Sequence, residues 1–275
     1  MNTEKITKIF AMLPKGITQG VLVVALVLSA FFIGSLKTKV DFYEKGRAPG
    51  TTNPSPAAQP QAPAQSTVTL DQIKNVFKEN VIKFGDANKK VLLVEIADSS
   101  CPFCHVAAGK NGELNKQMGD RFKLVQDGGT YVAPVPEMKK LVDSGKAAFA
   151  YIYFPGHGNG EMGTKAMYCA AEKGKFWEVH DLIMSNTGYD LLNNKVKNDK
   201  TKSGELADFL KQAFDANEMK NCLDSGKYDA HLQNNIKLAT SLGVQGTPGF
   251  FVNATNFSGA YSYKDMESAV TAALK

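Results

Sequence analysis

The rhythm of apolar and polar positions changes several times along the chain. Residues 1–15 are polar to basic, with Lys5, Lys8 and Lys15. Residues 16–36 carry no charge, and their centre, 21–28, is wholly apolar. A helix needs about 20 such residues, at about 1.5 Å each, to cross a bilayer. The stretch therefore predicts an uncleaved anchor, since small residues for signal-peptide cleavage are poorly placed after it. Lys37, Lys39, Lys45 and Arg47 follow it, so charge asymmetry does not fix the orientation. The short tail 1–15 is expected in the cytoplasm. Residues 37–66 are expected to form a linker, and 46–66, rich in Pro, Ala, Gln and Gly, has no large apolar residue with which to build a core.

From residue 67 onward the pattern is globular. Leu70, Ile73, Val76 and Phe77 share one face of a helix expected over 69–80. Strands are expected at 81–84 and 91–97, the second a continuous apolar run broken by Glu95. One helix should run from residue 101 to about Met118, and another over 138–144. A strand at 147–154 ends in Pro155-Gly156-His157-Gly158-Asn159-Gly160. Five helical patterns follow, at 161–173, 176–185, 204–214, 217–224 and 228–242. A strand at 249–253, a turn that leads through a second strand to Ala260 and Tyr261, and a helix over 265–274 close the chain. Lys195, Lys197, Lys200 and Lys202 read as a solvated loop. The pattern is that of an α/β fold whose sheet is interrupted by a helical insertion, about residues 157–243.

Composition adds exclusions. A net charge of +5 over 275 residues, with no basic stripe interleaved by aromatics, gives no footprint for nucleic acid. Four cysteines are too few to build a disulfide scaffold. No internal repeat is visible.

The chemistry concentrates in Ser99-Ser100-Cys101-Pro102-Phe103-Cys104-His105. Pro102 suits the first helical position, where its missing N–H costs nothing, and this puts Cys101 at the N-cap. Free N–H groups and the helix dipole favour a thiolate there, and the thiolate is the reactive form. Cys101 is therefore the expected attacking sulfur and Cys104 the resolving one. No second ligand pair at suitable spacing accompanies them, which argues against zinc, and no metal is expected. Cys101-Pro102-Phe103-Cys104-His105 also fits the attachment pattern for c-type haem, although nothing else suggests a haem pocket and no cofactor is expected. Far along the chain, Gly246-Thr247-Pro248-Gly249 precedes an apolar strand and could hold a cis peptide in a tight turn.

These motifs together resemble the DsbA-like branch of the thioredoxin superfamily. The resemblance rests on Val94-Glu95-Ile96 with the dithiol, on Gly174-Lys175-Phe176-Trp177, and on 243–253, Gly-Val-Gln-Gly-Thr-Pro-Gly-Phe-Phe-Val-Asn, in that order. It covers about residues 68–275 and implies a thioredoxin fold with an inserted helical domain, here residues 67–275. It also implies dithiol–disulfide exchange with reduced or unfolded exported proteins, on the extracytoplasmic side of a cell membrane, with a separate membrane partner that reoxidises the protein. Pro248 would be the cis-proline beside the dithiol. The Thr247 backbone would pair with an extended substrate, and Pro102 and Phe103 would lie against it. Glu95 stands where this branch carries a buried acid beneath the dithiol. It could hold or pass the proton of Cys104, the alternative being a charge facing solvent at a sheet edge. Cys169 and Cys222 resemble a second, structural disulfide, the alternative being two buried thiols. The strongest oxidants of the family carry histidine where Phe103 stands, so this disulfide should be less oxidising than theirs. An oxidase is the leading expectation. An isomerase or reductase of the same fold, or a peptide-binding holdase without turnover, are the alternatives.

Overall fold

A computed structural model describes residues 68–275. The tail, the anchor at 16–36, the whole linker at 37–66 and residue 67 lie outside the described residues. Among the described residues no helix is long and apolar enough to cross a membrane.

Five strands form one sheet in the order β1-β3-β2-β4-β5. They are β1 (Ile82–Phe84), β2 (Val91–Ala97), β3 (Ala147–Tyr153), β4 (Gly249–Val252) and β5 (Thr255–Ser258). The central β2 pairs parallel with β3 and antiparallel with β4. All residues of β2 and β3 are buried, because helices cover both faces. Alternation assigns them. Leu92, Val94 and Ile96 pack with Ile73 and Val76 of α1 (Leu70–Val76) and Ala239 near the end of a long helix. Val91, Leu93 and Ala97 face the other layer, with Cys104, Met138, Phe149 and Phe176. Position 95 falls on this second face, beneath the dithiol.

On that face lie α2 (Pro102–Ala108), α3 (Gly112–Gln117) and α4 (Pro134–Asp143). The single helix expected up to Met118 is thus two. Gly109 closes α2 in the left-handed conformation (φ 65°), and Asn111 caps α3 by accepting the Leu114 N–H. The helix expected at 138–144 begins four residues earlier, with Pro134 in its first turn.

Between β3 and β4 run α5 (Glu161–Ala171), α6 (Phe176–Ile183), α7 (Asn186–Asp190), α8 (Ser203–Phe209), α9 (Ala216–Asp224) and α10 (Asp229–Ser241). Phe176 and Trp177 dock this block on the sheet through ring contacts with Phe84 and Phe149, with ring centroids 5.3–5.5 Å apart. The last of the six, α10, carries Ala239 and lies against the α1 side of the sheet. A π-helical turn, Leu191–Val196, follows α7 directly, in a stretch where sequence periodicity shows no element. A terminal helix, α11 (Tyr263–Leu274), completes the layer beneath β4.

Candidate active site

The site forms where β2 ends. Cys101 is the N-cap of α2, with extended backbone angles, and its N–H donates to the Asp98 carbonyl at 2.9 Å. Pro102 opens the helix, so the free N–H groups that follow point at the sulfur. Cys101 Sγ donates to the Thr247 carbonyl at 3.5 Å, across a cis Thr247–Pro248 peptide. The two motifs, 146 residues apart, therefore meet.

The two sulfurs have opposite environments. A hydrogen bond from Cys104 pulls the Cys101 thiol down to about 6 against the opposing effect of burial, and the Thr247 side chain and the Phe103 and Cys104 N–H groups add to the lowering. Cys104 is completely buried, and burial pushes it well above the usual thiol value. At neutral pH the pair therefore holds one thiolate, on Cys101, and one proton, on Cys104. Phe103 is exposed and meets the edge of Phe122, with centroids 5.7 Å apart.

Glu95 lies beneath Cys104, wholly buried, and neither carboxylate oxygen has a hydrogen-bond partner. It is on the central strand, not at an exposed edge. Burial raises its pKa to about 8, so it is neutral at pH 7 and able to exchange a proton.

Three further groups build the site. The first is Asp98, directly after β2. Its carboxylate accepts from the N–H groups of Gly156, His157 and Gly158 and from both the N–H and hydroxyl of Ser100, at 2.7–3.2 Å. It thus staples the loop after β3 to the turn that carries Cys101. A Cβ on Gly160 would fall 1.8 Å from Asp98 Oδ1, and one on Gly156 would fall 1.8 Å from Thr247 Oγ1. The glycine run is what allows this loop to pass between the two halves of the site. Asn193, on the π-helical turn, donates to the Ser100 carbonyl at 3.1 Å and brings the helical block into the same network. His105 is fully buried. Its ring nitrogens lie 2.9 Å from the carbonyls of Ser99 and Met184, which joins the dithiol turn to the end of α6. Burial drives its pKa down to about 4, so the ring is neutral. Both nitrogens face backbone, an arrangement unlike that of an axial ligand.

Beside the dithiol the surface is open. A cleft of 340 Å³ is lined by Val244, Gln245, Thr247 and Pro248, and a second, of 510 Å³, by Arg121, Phe122, Tyr131 and Tyr261. Ser258 and Gly259 line both. Away from the site, Cys169 on α5 and Cys222 on α9 are joined in a disulfide, with Cα atoms 6.2 Å apart.

A family model described as thioredoxin matches residues 135–272, half of the chain. The chain belongs to the thioredoxin family. The matched part starts after the dithiol and includes Thr247 and Pro248. The fold is DsbA-like. BdbD from Bacillus subtilis, in its oxidised form, is 19% identical with a TM-score of 0.52, over 70% of this chain and 92% of that one. A variant of alpha-DsbA1 from Wolbachia pipientis is 17% identical with a TM-score of 0.54, over 75% and 96%. In sequence, the chain is 24% identical over 193 residues to the Na(+)/H(+) antiporter NhaA 3 of Salinispora tropica, covering 69% of this chain. It spans only about a quarter of the length of that antiporter. A Rickettsia conorii protein with the provisional name protein-disulfide oxidoreductase is 24% identical over 220 residues, 78% of this chain and 69% of that protein.

Proposed function

We propose that the protein is a thiol–disulfide oxidoreductase that exchanges disulfides with exported proteins through Cys101 and Cys104. The observation that carries this reading is the split between the two sulfurs. A thiolate-favouring Cys101 sits at a helix start against Thr247, and a proton-retaining Cys104 is buried behind it. The name of the Rickettsia relative points the same way.

As an oxidase the protein starts with Cys101 and Cys104 joined. A substrate thiolate attacks Cys101 Sγ, the Cys101–Cys104 bond breaks, and Cys104 leaves with the electron pair and takes a proton from Glu95. A second substrate thiolate then attacks the substrate sulfur of the mixed disulfide and expels the Cys101 thiolate. Two electrons pass from substrate to protein, and a membrane oxidant must remove them. The substrate chain lies along the cleft beside Thr247 and Pro248, pairs with the Thr247 backbone and contacts Pro102 and Phe103. The apolar stretch 16–36 supports anchoring in the cell membrane, with 37–66 as a spacer and the described domain on the extracytoplasmic side.

The modest stabilisation of the thiolate favours a second reading. A shift from about 9 to about 6 stabilises the reduced form by only about 1.4 kcal/mol at pH 7, or about 30 mV. A reductase would use the same site with electrons flowing the other way, and an isomerase would use it with no net electron transfer. Equilibration with glutathione decides between the oxidase and the reductase. A potential of about −120 to −180 mV supports the oxidase, and one near about −270 mV overturns it.

A further inference from the structure

Four buried polar atoms without a hydrogen-bond partner lie in one place under the dithiol: both carboxylate oxygens of Glu95, the Tyr151 hydroxyl and the Thr164 hydroxyl. Their neighbourhood follows from the fold. Glu95 on β2 and Tyr151 on β3 are direct partners in the parallel register, so their side chains stand side by side on the face that α2 covers. Thr164 is completely buried on the first turn of α5. Its hydroxyl is close enough to that of Tyr151 to ease the phenol's ionisation slightly, while burial, the Glu95 charge and Cys104 all work against it. The Glu95 charge also acts on Cys104. On the other side of Glu95, β4 offers only Phe250. The ionisable groups bearing on the cluster are thus Cys104, Glu95, Tyr151 and Asp98. Asp98 is already committed to five donors.

Buried polar atoms are nearly always satisfied, by protein or by ordered water, and such water makes about three hydrogen bonds. A phenol, a threonine hydroxyl and a carboxyl group converging under one thiol provide that many ligands for water. We propose that Glu95, Tyr151 and Thr164 bind ordered water beneath Cys104, and that Tyr151 is a positioning residue for the proton that passes between Cys104 and Glu95. The proposal rests on the reading of Glu95 as the proton partner of Cys104. Tyr151 itself never ionises. Its hydroxyl donates toward the carboxylate, directly or through water, and so favours the form of Glu95 that can accept the proton. Without that donor the carboxyl group holds its proton to higher pH.

The test uses the full chain, reduced, mixed with oxidised glutathione, quenched with acid and followed by mass spectrometry. The Cys101 thiolate attacks one glutathione sulfur and expels a glutathione thiolate. Cys104 then passes its proton to Glu95, and its thiolate attacks Cys101 Sγ and expels the second glutathione. Tyr151→Phe keeps the ring and its packing. It should leave the first step within about twofold and slow the second about tenfold at pH 7, the scale of one hydrogen bond to a charged group. The midpoint of the second step against pH should move upward. Thr164→Val should move it the same way by less. In a Glu95→Gln chain, Tyr151→Phe should slow the second step no further. A Tyr151→Phe chain with the wild-type rate and pH profile, beside a Glu95→Gln chain that is slowed, overturns this proposal and leaves the role of Glu95 standing. A Glu95→Gln chain that resolves as fast as wild type overturns both.

Discussion

Replacing Glu95 by glutamine should stabilise the protein, and by an amount that grows with pH. The wild-type carboxyl ionises near its ordinary value of 4.5 in the unfolded chain and only at about 8 in the folded one. Between those values the folded state holds a proton that the unfolded state has lost, so stability falls as pH rises. At pH 5 the loss is under about 1 kcal/mol. At pH 7 the gap of about 2.5 units costs about 3 kcal/mol, and above pH 8 the full 3.5 units cost about 5 kcal/mol. Glutamine has nearly the same shape and keeps a polar group at the same buried position, but it cannot ionise. Denaturant unfolding of the reduced wild-type and Glu95→Gln chains at pH 5 and pH 7 isolates the difference. The contribution of Cys101 is common to both and cancels. The expected result is near-equal stability at pH 5 and a gain of about 3 kcal/mol for Glu95→Gln at pH 7. Parallel curves at the two pH values would refute the burial argument, because they would mean that Glu95 ionises normally in the folded state.

Other consequences can be measured directly. The rate of Cys101 alkylation by iodoacetamide should rise with a midpoint at about pH 6, and Thr247→Val, which removes a hydroxyl facing the sulfur, should move that midpoint upward. Because its folded pKa is depressed, Cys101 adds stability to the reduced form as pH rises through about 6 toward 9, so the reduced protein should gain stability relative to the oxidised one over that range, and the reduced Cys101→Ser chain, which has no such thiol, should lack that gain. Replacing Cys169 and Cys222 together by alanine opens a loop of 53 residues and should cost about 4 kcal/mol in thermal or denaturant unfolding, with the first exchange step at Cys101 preserved. Asp98→Ala removes the acceptor of five hydrogen bonds, two of them from the buried Ser100, and should cost about 3 kcal/mol or more, with reduced thiol reactivity because the turn carrying Cys101 loosens.

The elements that sequence patterning marked out are those with one strong periodicity. The runs 91–97 and 147–154 are continuous and apolar because both faces of the sheet are covered, and they appear as β2 and β3 within a residue. The dithiol helix was legible at its start, where Pro102 fixes the backbone, and misread at its end. Gly109 and Asn111 form a stop and a new cap inside what looked like one amphipathic run. The π-helical turn at 191–196 was invisible, since its geometry depends on the contact of Asn193 with the Ser100 carbonyl across the fold. The role of Asp98 was hidden for a related reason. Three of its five donors are backbone N–H groups about 60 residues away, which no side-chain pattern announces, although the glycines at 156, 158 and 160 were a signal that something must pass closely there. Glu95 stood out as a charge in an apolar run. Tyr151 did not, because a tyrosine in a strand looks like ordinary packing until its neighbours are known.

The central claim is that Cys101 forms a mixed disulfide with exported proteins. A Cys104→Ala chain expressed in cells cannot resolve that bond by internal attack, so partners stay attached. Non-reducing separation followed by mass spectrometry should find exported proteins linked through Cys101, released by reductant and absent when Cys101 is replaced by serine. A Cys104→Ala chain that carries no adducts, or adducts that persist in the Cys101→Ser background, would contradict the account.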